Sequence, residues 1–528
     1  MIEWKGGLPD LPPSWNLLEK RSLRYGASAL SGVFLFACFP RLNLHLLVWV
    51  ACLPLLLALL TEKKLRHAFF LGYLSGAIYW AGSCYWFVEV MRRYGGVNPL
   101  LGMGAFALFL AVFSTFYGAF GLVTGWVARR SMAVALALSP FLWVTMELAR
   151  TYLLLSFPWN LLGYAVQATG LRQAASFTAV YGLSFLAAAT SALLAWVLLA
   201  PREVRPRIAA GVWFLLLVVG NVLLAPSPLR PGSNAALLLQ PNVPLDEPVL
   251  EKWEPWRDLS ELQRLVTMSL ASRAALASTS AATPLVVWAE NPAPFYFTRD
   301  PIFRAAIENL ARQTHAYVVF NTVTFAGEDT SRPKNSAVAL DPEGRVVLQY
   351  DKIHLVPFGE YVPDWPLLNK TGKIASQVGN YVPGSNYAGA RTADGTIGIF
   401  ICYESIFPQL VRRLTPEGPG VLVTISNDAW YGDSSAAYQH LEMARLRAIE
   451  EGRYLLRATN DGITAVIDPC GRLTEQIARH RATVMPGRFD YLARQTFYKA
   501  HGDLFAWLCV LASAAMITVG ASLRVRPR

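Results

Sequence analysis

Apolar residues are concentrated in two regions of the chain, and this distribution constrains the fold more than any other feature. Residues 26–225 and 503–523 are dominated by long apolar runs, whereas residues 235–490 have the mixed composition of a soluble protein. The whole chain is 54% hydrophobic, above the roughly 45–50% of an ordinary soluble domain. The sequence therefore predicts a membrane domain with a large soluble domain inserted before its last span.

We predict eight membrane spans, because a helix needs about 20 apolar residues to cross the hydrocarbon core. The first two runs are short and are separated by residues 40–43, so they are either a tight hairpin or one broken element. The domains are then 1–225 with about seven spans, 226–502 as the soluble domain, and 503–528 as a final span with a basic tail. The predicted spans are 26–42, 44–61, 68–90, 99–128, 133–150, 172–200, 208–225 and 503–523.

The basic residues indicate the orientation in the membrane. With the N-terminus inside, every Lys/Arg-rich connection except one lies on the cytoplasmic side, as the positive-inside rule requires. The exception is the pair Arg92 and Arg93. We therefore expect a multi-pass protein of the bacterial cytoplasmic (inner) membrane with residues 226–502 outside. The agreeing segments are 1–25, 61–67, 128–132, 201–207 and 524–528.

The soluble block alternates strand-like and helix-like patterns, which predicts an α/β layered domain. The adjacent runs 336–340 and 345–350 are joined by Asp-Pro-Glu-Gly and predict an antiparallel hairpin, so the sheet should be mixed. The other predicted strands are 235–240, 284–289, 316–320, 396–401, 421–425 and 463–467. The predicted helices are 258–278, 301–314, 405–415 and 435–452.

Three chemically active residues each follow a predicted strand. Cys402 precedes a predicted helix, in a turn that would expose its thiol and favour the thiolate. Glu290 is a candidate general base, and Lys352 a candidate donor to an oxyanion. Each also has a structural interpretation: a core cysteine, a helix cap or loop charge, and a solvated strand-end lysine.

Other chemistries find little support in the sequence. The net charge of +11 arises largely from residues that flank apolar runs, so we expect no nucleic-acid partner. No Cys/His cluster predicts a metal, and we expect no cofactor. Cys402 and Cys470 could form a disulfide in an oxidising compartment.

Several longer segments, in order, resemble the apolipoprotein N-acyltransferase family, the membrane-bound branch of the nitrilase superfamily. The order Glu290, Lys352, Cys402 is similar to the Glu-Lys-Cys triad of that superfamily. The resemblance covers nearly the whole chain. The segments that carry it are 352–363 (KIHLVPFGEYVP), 401–404 (ICYE), 426–432 (SNDAWYG), 439–445 (QHLEMAR), 457–465 (RATNDGITA), 157–159 (FPW) and 163–164 (GY).

The resemblance implies a multi-span α-helical membrane domain and a nitrilase-like α-β-β-α sandwich. It implies transfer of an acyl chain from a membrane phospholipid, through a Cys402 thioester, to the α-amine of an S-diacylglyceryl apolipoprotein. Glu290 would be the base, and Lys352 with a backbone N–H near Tyr403 would stabilise the oxyanion. Glu360 and Glu404 would orient Lys352 and the thiol. The residues expected to contact substrate are Trp430, Tyr431, His440 and Trp159.

The partners implied are the phospholipid donor, the lipoprotein acceptor and the bilayer, and we expect a monomer. Two aromatic segments, 78–95 and 151–164, are either an interfacial belt or a lipid-facing floor beneath the soluble domain. The loop 365–388 is a candidate lid. Its residues 367–386 depart from the Ser/Phe-rich loop of the family, so donor preference or lid behaviour can differ. A tryptophan that the family uses corresponds ambiguously to Trp253 or Trp256.

Two other functions compete with acyl transfer. A membrane-tethered amidase or nitrilase would use the same triad to hydrolyse a small C–N substrate, but it needs no multi-span platform. A transporter would place ionisable residues inside its spans, where Glu147 and Arg150 lie near a span end. Transport would survive loss of the Cys402 thiol, whereas acyl transfer would not.

Overall fold

The structure is a computed structural model, and it describes residues 20–94, 98–228, 231–245, 259–277, 282–290, 296–327, 329–361 and 380–523. The chain divides into two compact units. The first comprises Met1–Tyr85, Met103–Pro226 and Asp503–Arg528, and the second comprises Trp86–Gly102 and Ser227–Gly502. Trp86–Gly102 therefore groups with the soluble domain, although the sequence placed part of it in the third span.

All regular secondary structure in the described residues of the first unit is helical. Short 3₁₀ segments at His45–Trp49, Leu162–Ala165 and Leu171–Ala174 interrupt it. Its helices are α1 (Arg21–Ala37), α2 (Leu53–Thr61), α3 (Leu65–Ser83), α5 (Pro99–Ala128), α6 (Met132–Tyr152), α7 (Ala175–Leu199), α8 (Val204–Leu223) and α15 (Leu504–Ser522).

Five described helices are long and apolar enough to cross a membrane: Pro99–Ala128, Met132–Tyr152, Leu171–Leu199, Val204–Leu223 and Leu504–Ser522. The first three predicted spans are less regular. The first is a helix of 17 residues, and the second is broken into His45–Trp49 and Leu53–Thr61. The third ends at Ser83, because the chain turns there before a separate helix, α4 (Trp86–Tyr94). For these three, membrane crossing stays a prediction.

Small residues and buried polar groups hold the helices of the first unit together. A Cβ atom on Gly72 of α3 would lie 2.0 Å from the carbonyl oxygen of Tyr117 on α5, so this contact requires glycine. Close backbone approach at glycines is typical of helices packed in membranes. Glu147 is fully buried and accepts hydrogen bonds from the indole of Trp143 and the backbone N–H of Leu162, at 3.0 and 2.7 Å. It therefore fastens the connection after α6.

The second unit contains two six-stranded mixed sheets among its described residues, with the orders β12-β1-β2-β3-β4-β5 and β11-β10-β9-β8-β7-β6. The strands are β1 (Asn234–Gln240), β2 (Leu285–Val287), β3 (Tyr317–Ala326), β4 (Asp329–Leu340), β5 (Val346–Asp351), β6 (Ala390–Arg391), β7 (Thr396–Ile401), β8 (Gly420–Ser426), β9 (Leu455–Thr459), β10 (Ala465–Ile467), β11 (Leu473–Gln476) and β12 (Thr483–Phe489). The helices of this unit besides α4 are α9 (Leu259–Ala271), α10 (Ala274–Ala277), α11 (Pro301–Thr314), α12 (Pro408–Leu414), α13 (Ala436–Glu451) and α14 (Phe497–His501), with 3₁₀ segments Cys402–Ile406 and Asp428–Tyr431.

Strand order explains why the site residues meet. Strands β1, β2 and β3 are parallel to one another, as are β7, β8 and β9, while β3, β4 and β5 are antiparallel. The predicted hairpin and the mixed sheet are confirmed. Glu290 and Cys402 follow the carboxyl ends of β2 and β7, each of which belongs to a parallel set, and α/β folds bind ligands at the carboxyl ends of such strands.

The two sheets face each other, and helices cover their outer faces, which gives the predicted α-β-β-α order. Buried apolar residues of α9, α11 and the first sheet form one continuous core, including Leu265, Ile307 and Val318. Between the sheets the approach is close: a Cβ on Gly487 of β12 would lie 2.5 Å from Cγ2 of Val466 on β10. Helices α12 and α13 pack on the second sheet.

Four strands were not predicted, because their local sequences are atypical of strands or very short. The strand β9 reads Leu-Leu-Arg-Ala-Thr and carries a buried arginine, Arg457, at its centre. The strand β12 contains Pro486 and Gly487, which normally argue against a strand. The short strands β6 and β11 contain two and four residues. In each case sheet pairing outweighs weak local propensity.

Candidate active site

Cys402 is the residue at which β7 turns into a 3₁₀ helix. Its φ is +51°, a left-handed conformation that a non-glycine residue adopts only when its surroundings enforce it. The residue is 6% exposed. The sequence predicted an exposed thiol; the structure corrects this, because the tight 3₁₀ turn folds the side chain into the unit. Cys402 and Cys470 form no disulfide.

Lys352 lies between two carboxylates. Its Nζ donates to Oε1 of Glu360 at 2.9 Å and lies 3.5 Å from Oε1 of Glu290. Lys352 is 1% exposed and Glu290 is 3% exposed, so this is a nearly dry ion cluster. Burial by itself would lower the pKa of Lys352, but Glu360 and Glu290 raise it above its usual value. The ammonium is therefore charged at any working pH.

Asn335 joins the two carboxylates, and sequence reasoning missed it. Its Nδ2 donates to Oε1 of Glu290 at 2.9 Å and to Oε1 of Glu360 at 2.8 Å. Its Oδ1 accepts a hydrogen bond from Asn321, which fixes the orientation of the amide. The backbone carbonyl of Asn335 also accepts from the N–H of Lys352. No local signal marks Asn335, because a single polar residue at the start of a predicted strand is common.

The opposing charges of Glu290 and Lys352 act on the thiol. Burial is the main cause of a raised pKa for Cys402; Glu290 raises it further, and Lys352 lowers it. Cys402 is thus a neutral thiol on which the Glu290 carboxylate acts. Among the described residues, Oε2 of Glu290 has no hydrogen-bond partner although it is buried. A buried acceptor without a donor costs free energy, and it is the oxygen available to take a proton.

Glu404 ties the lysine segment to the nucleophile segment. Its Oε1 accepts from the N–H groups of Ile353 and His354 and from the hydroxyl of Tyr350, and its Oε2 accepts from the N–H of Ile401. Burial raises the pKa of Glu404 to about 7, and these donors oppose the rise. Glu404 therefore holds backbone on both sides of the site, whereas Glu360 contacts Lys352 directly.

Aromatic residues surround the cluster within the second unit. Tyr403 is 5% exposed, and its ring packs edge-on against Phe407. Trp430 and Tyr431 are partly buried on the 3₁₀ segment after β8. Burial raises the pKa of Tyr431. The ring of Trp86 on α4 meets that of Tyr431, with centroids 5.1 Å apart.

Open space lies beside this aromatic segment. A cavity of about 260 Å³ is lined by Ala429 and Gly432, which flank Trp430 and Tyr431, and by Arg93 of α4. Substrate contact by Trp430 and Tyr431 stays a prediction.

The other two predicted substrate residues are buried within their own units. His440 is 0% exposed and bonds to the backbone of Cys402. Trp159 is 0% exposed in the first unit and stacks on Phe157, with ring planes 5° apart. The candidate lid falls mostly outside the described residues, which resume at Asn380, and Trp253 and Trp256 also lie outside them.

The fold and site define a class of protein. Facing mixed sheets between helical layers have the architecture of the carbon–nitrogen hydrolase fold, here on a chain with membrane-length helices, and the buried Glu290, Lys352 and Cys402 at strand ends are its candidate site. Accordingly, the Carbon-nitrogen hydrolase family matches residues 238–494, and the Apolipoprotein N-acyltransferase N-terminal domain matches residues 31–193. The chain belongs to the apolipoprotein N-acyltransferase family.

Named relatives cover almost the full length. The chain is 37% identical to the apolipoprotein N-acyltransferase of Geobacter metallireducens over 96% of each chain. It is 33% identical to that of Methylococcus capsulatus over 85% of this chain and 88% of the relative. Among solved structures, an amidase of the nitrilase superfamily from Nesterenkonia AN1 is 18% identical, covering 53% of this chain and 98% of its own, with a TM-score of 0.39.

Proposed function

We propose that this enzyme transfers an acyl chain from a membrane phospholipid to the α-amine of an S-diacylglyceryl cysteine on an apolipoprotein, by a ping-pong route through Cys402. One observation supports the residue assignment: Lys352 is buried between Glu290 and Glu360. The charges of Lys352 and Glu290 both act on the Cys402 thiol. A base, a fixed cation and a nucleophile in a dry site suit acyl transfer.

In the first half-reaction the sulfur of Cys402 attacks the ester carbonyl carbon of the phospholipid. Glu290 takes the thiol proton as the C–S bond forms, and Lys352 stabilises the oxyanion. The ester C–O bond then breaks, Glu290 returns the proton to the glycerol oxygen, and lysophospholipid leaves. The product is a thioacyl-enzyme, with no change of oxidation state.

In the second half-reaction the neutral α-amine of the acceptor attacks the thioester carbon. Glu290 takes a proton from the nitrogen, the C–N bond forms, and the C–S bond breaks. Glu290 then returns the proton to the thiolate of Cys402. The same base and the same oxyanion partner thus serve both halves.

The low exposure of Cys402, Lys352 and Glu290 favours transfer to an amine over hydrolysis, because water that reaches a thioester destroys the intermediate. This supports acyl transfer over the amidase alternative. The buried charged residues of α6, Glu147 and Arg150, do not support the transporter alternative. Glu147 holds the backbone of Leu162 and Arg150 lies over the ring of Trp80, which are structural contacts.

The acceptor distinguishes transfer from hydrolysis. We expect acyl-enzyme incubated with a diacylglyceryl-cysteine peptide to give one amide product, and the α-N-acetylated peptide to give none, because it offers no nucleophilic nitrogen. Product mass and release of free fatty acid would be measured together. Fatty acid release at equal rates with both peptides, and no amide, would support the amidase alternative.

We also propose that the catalytic domain lies on the outer side of the cytoplasmic membrane and that the enzyme acts as a monomer. The orientation is supported by described basic residues between the spans, including Lys63, Arg129 and Arg202. The exceptional pair Arg92 and Arg93 lies on α4, which groups with the catalytic unit.

Labelling of single cysteines in whole cells would check the orientation. Both reporter positions are exposed, Arg345 in the catalytic unit and Lys63 between spans, and a Cys402→Ala, Cys470→Ala background leaves only buried thiols besides the reporter. We expect a membrane-impermeant maleimide to label Arg345→Cys in intact spheroplasts and to label Lys63→Cys only after lysis. The reverse pattern would overturn the orientation.

A further inference from the structure

A fully buried polar cluster lies beneath the carbonyl group of Cys402. Ser426, Asp428, His440 and Arg457 are each 0% exposed. Burying ionic groups costs free energy unless they pair with one another. The reaction steps above use none of these four residues, although His440 contacts the backbone of Cys402 and the other three are joined to His440 through Asp428.

His440 connects this cluster to the nucleophile. Its Nδ1 lies 3.0 Å from Oδ1 of Asp428, and its Nε2 lies 3.0 Å from the carbonyl oxygen of Cys402. The hydroxyl of Ser405 donates to the same carbonyl at 2.7 Å and lies 2.5 Å from Nε2. The carbonyl oxygen can only accept a hydrogen bond, so the contact from Nε2 requires a proton on Nε2; for the same reason the contact with the carboxylate of Asp428 requires a proton on Nδ1.

The rest of the cluster fixes the imidazole ring. Asp428 also accepts from Nη2 of Arg457 at 2.6 Å and from Oγ of Ser426 at 2.8 Å. Burial alone would raise the pKa of Asp428, but Arg457 and His440 bring it well below its usual range. An ionised carboxylate against one ring nitrogen orients the other nitrogen, as in metal and catalytic histidine sites.

The hydrogen bonds to the Cys402 carbonyl also set the direction of the Tyr403 N–H. The Cys402–Tyr403 peptide unit is planar and trans, so its N–H points opposite to its C=O. With the carbonyl drawn toward His440 and Ser405, the N–H of Tyr403 points away from them. The left-handed φ of Cys402 is a strained conformation, and the same two donors stabilise it.

We infer that His440 is a positioning residue for acyl transfer: by holding the Cys402 carbonyl it aims the Tyr403 N–H at the oxyanion that forms on the acyl carbon. This inference rests on the proposed role of Cys402 as nucleophile. It replaces the predicted substrate contact by His440, because a ring with no exposed surface offers a substrate nothing to touch.

Two amide variants of His440 test the roles of its two ring nitrogens separately. His440→Asn places an amide near Nδ1, which keeps the bond to Asp428 and loses the bond to the Cys402 carbonyl. His440→Gln places an amide near Nε2, where it can still donate to that carbonyl. The two side chains share one functional group, so a general loss of packing affects both.

The readout is the rate of Cys402 acylation by phospholipid in a single turnover, compared with alkylation by iodoacetamide, which passes through no oxyanion. Loss of an oxyanion donor costs about 10²–10³-fold, so we expect a misaimed donor in His440→Asn to slow acylation about 10- to 100-fold. His440→Gln should acylate at least about tenfold faster than His440→Asn. In both variants, the phospholipid concentration that gives half-maximal acylation and the rate of alkylation should each stay within about twofold of the wild-type values.

Three results would overturn the inference: His440→Asn acylating at the wild-type rate, Asn and Gln slowing it equally, or alkylation falling in step with acylation. If His440→Asn does not fold, as judged by gel filtration in detergent, Ser405→Ala removes the other donor. We then expect about a three- to tenfold slower acylation with unchanged alkylation, and a wild-type rate would overturn the inference. Failure of the proposed function differs, because wild-type enzyme would then form no acyl-enzyme.

Discussion

Wild-type enzyme incubated with phospholipid and no acceptor should gain the mass of one acyl chain on Cys402, and Cys402→Ala should gain none. The thiol is the only group in the proposed site that can carry the chain between the two substrates. Removing a nucleophile that acts as a unit with its base costs on the order of 10⁶-fold in a well-measured hydrolase. We therefore expect no detectable adduct or turnover in Cys402→Ala, as measured by intact mass and peptide mapping.

Cys470→Ala is the matched control for this experiment. Cys470 is the other cysteine of the catalytic unit, is partly exposed and forms no disulfide. This variant should still acquire one acyl group, and hydroxylamine should remove it, since a thioester is labile to that amine. An unmodified wild-type protein, or an adduct that survives in Cys402→Ala, would reject the covalent route.

Lys352→Met should slow acylation of Cys402 by at least about 10²–10³-fold, the usual cost of losing an oxyanion partner. Methionine keeps the length of the side chain but removes the charge from a site that is 1% exposed. The variant leaves Glu290 and Glu360 without their cation, and breaking a buried pair costs about 3–5 kcal/mol. The thermal midpoint in detergent should therefore fall as well.

The pH dependence of thiol alkylation separates charge from stability. Lys352 lowers the pKa of Cys402 and Glu290 raises it. Lys352→Met should therefore move the alkylation midpoint to higher pH, whereas Glu290→Gln should move it to lower pH while acylation still fails for lack of a base. Shifts in the same direction for both variants would contradict this arrangement of charges.

Lys334→Met is the matched control for Lys352→Met. Lys334 also pairs with a carboxylate of the first sheet, Asp351, at 2.7 Å, but it belongs to no part of the proposed site. We expect its acylation rate and alkylation midpoint to match the wild type within about twofold, because a partly exposed pair contributes little. A loss equal to that of Lys352→Met would assign the effect to the sheet instead of the site.

Much of the fold was predictable because it depends on local periodicity. Apolar runs near 20 residues long marked the five membrane-length helices, and alternating strands and helices marked the layered sandwich. The prediction failed where local signals conflict with tertiary pairing. The strand with Arg457 at its centre and the strand with Pro486 form because neighbouring strands supply their hydrogen bonds. The helix after Ser83 is amphipathic and short, so it resembled the end of a span.

The sequence by itself determined the family, and it predicted the division into membrane and soluble parts and the candidate residues Glu290, Lys352 and Cys402, because strand ends and apolar runs depend on consecutive residues. Only the tertiary structure decided how those residues are held. Asn335 bridges two carboxylates, Glu404 joins two backbone segments, and His440 lies under the nucleophile. These contacts link residues that are 38 to 51 positions apart for His440 and Glu404. A polar side chain in a buried strand or helix gives no local sign of its partner, since its burial is stable only when the distant partner is in place.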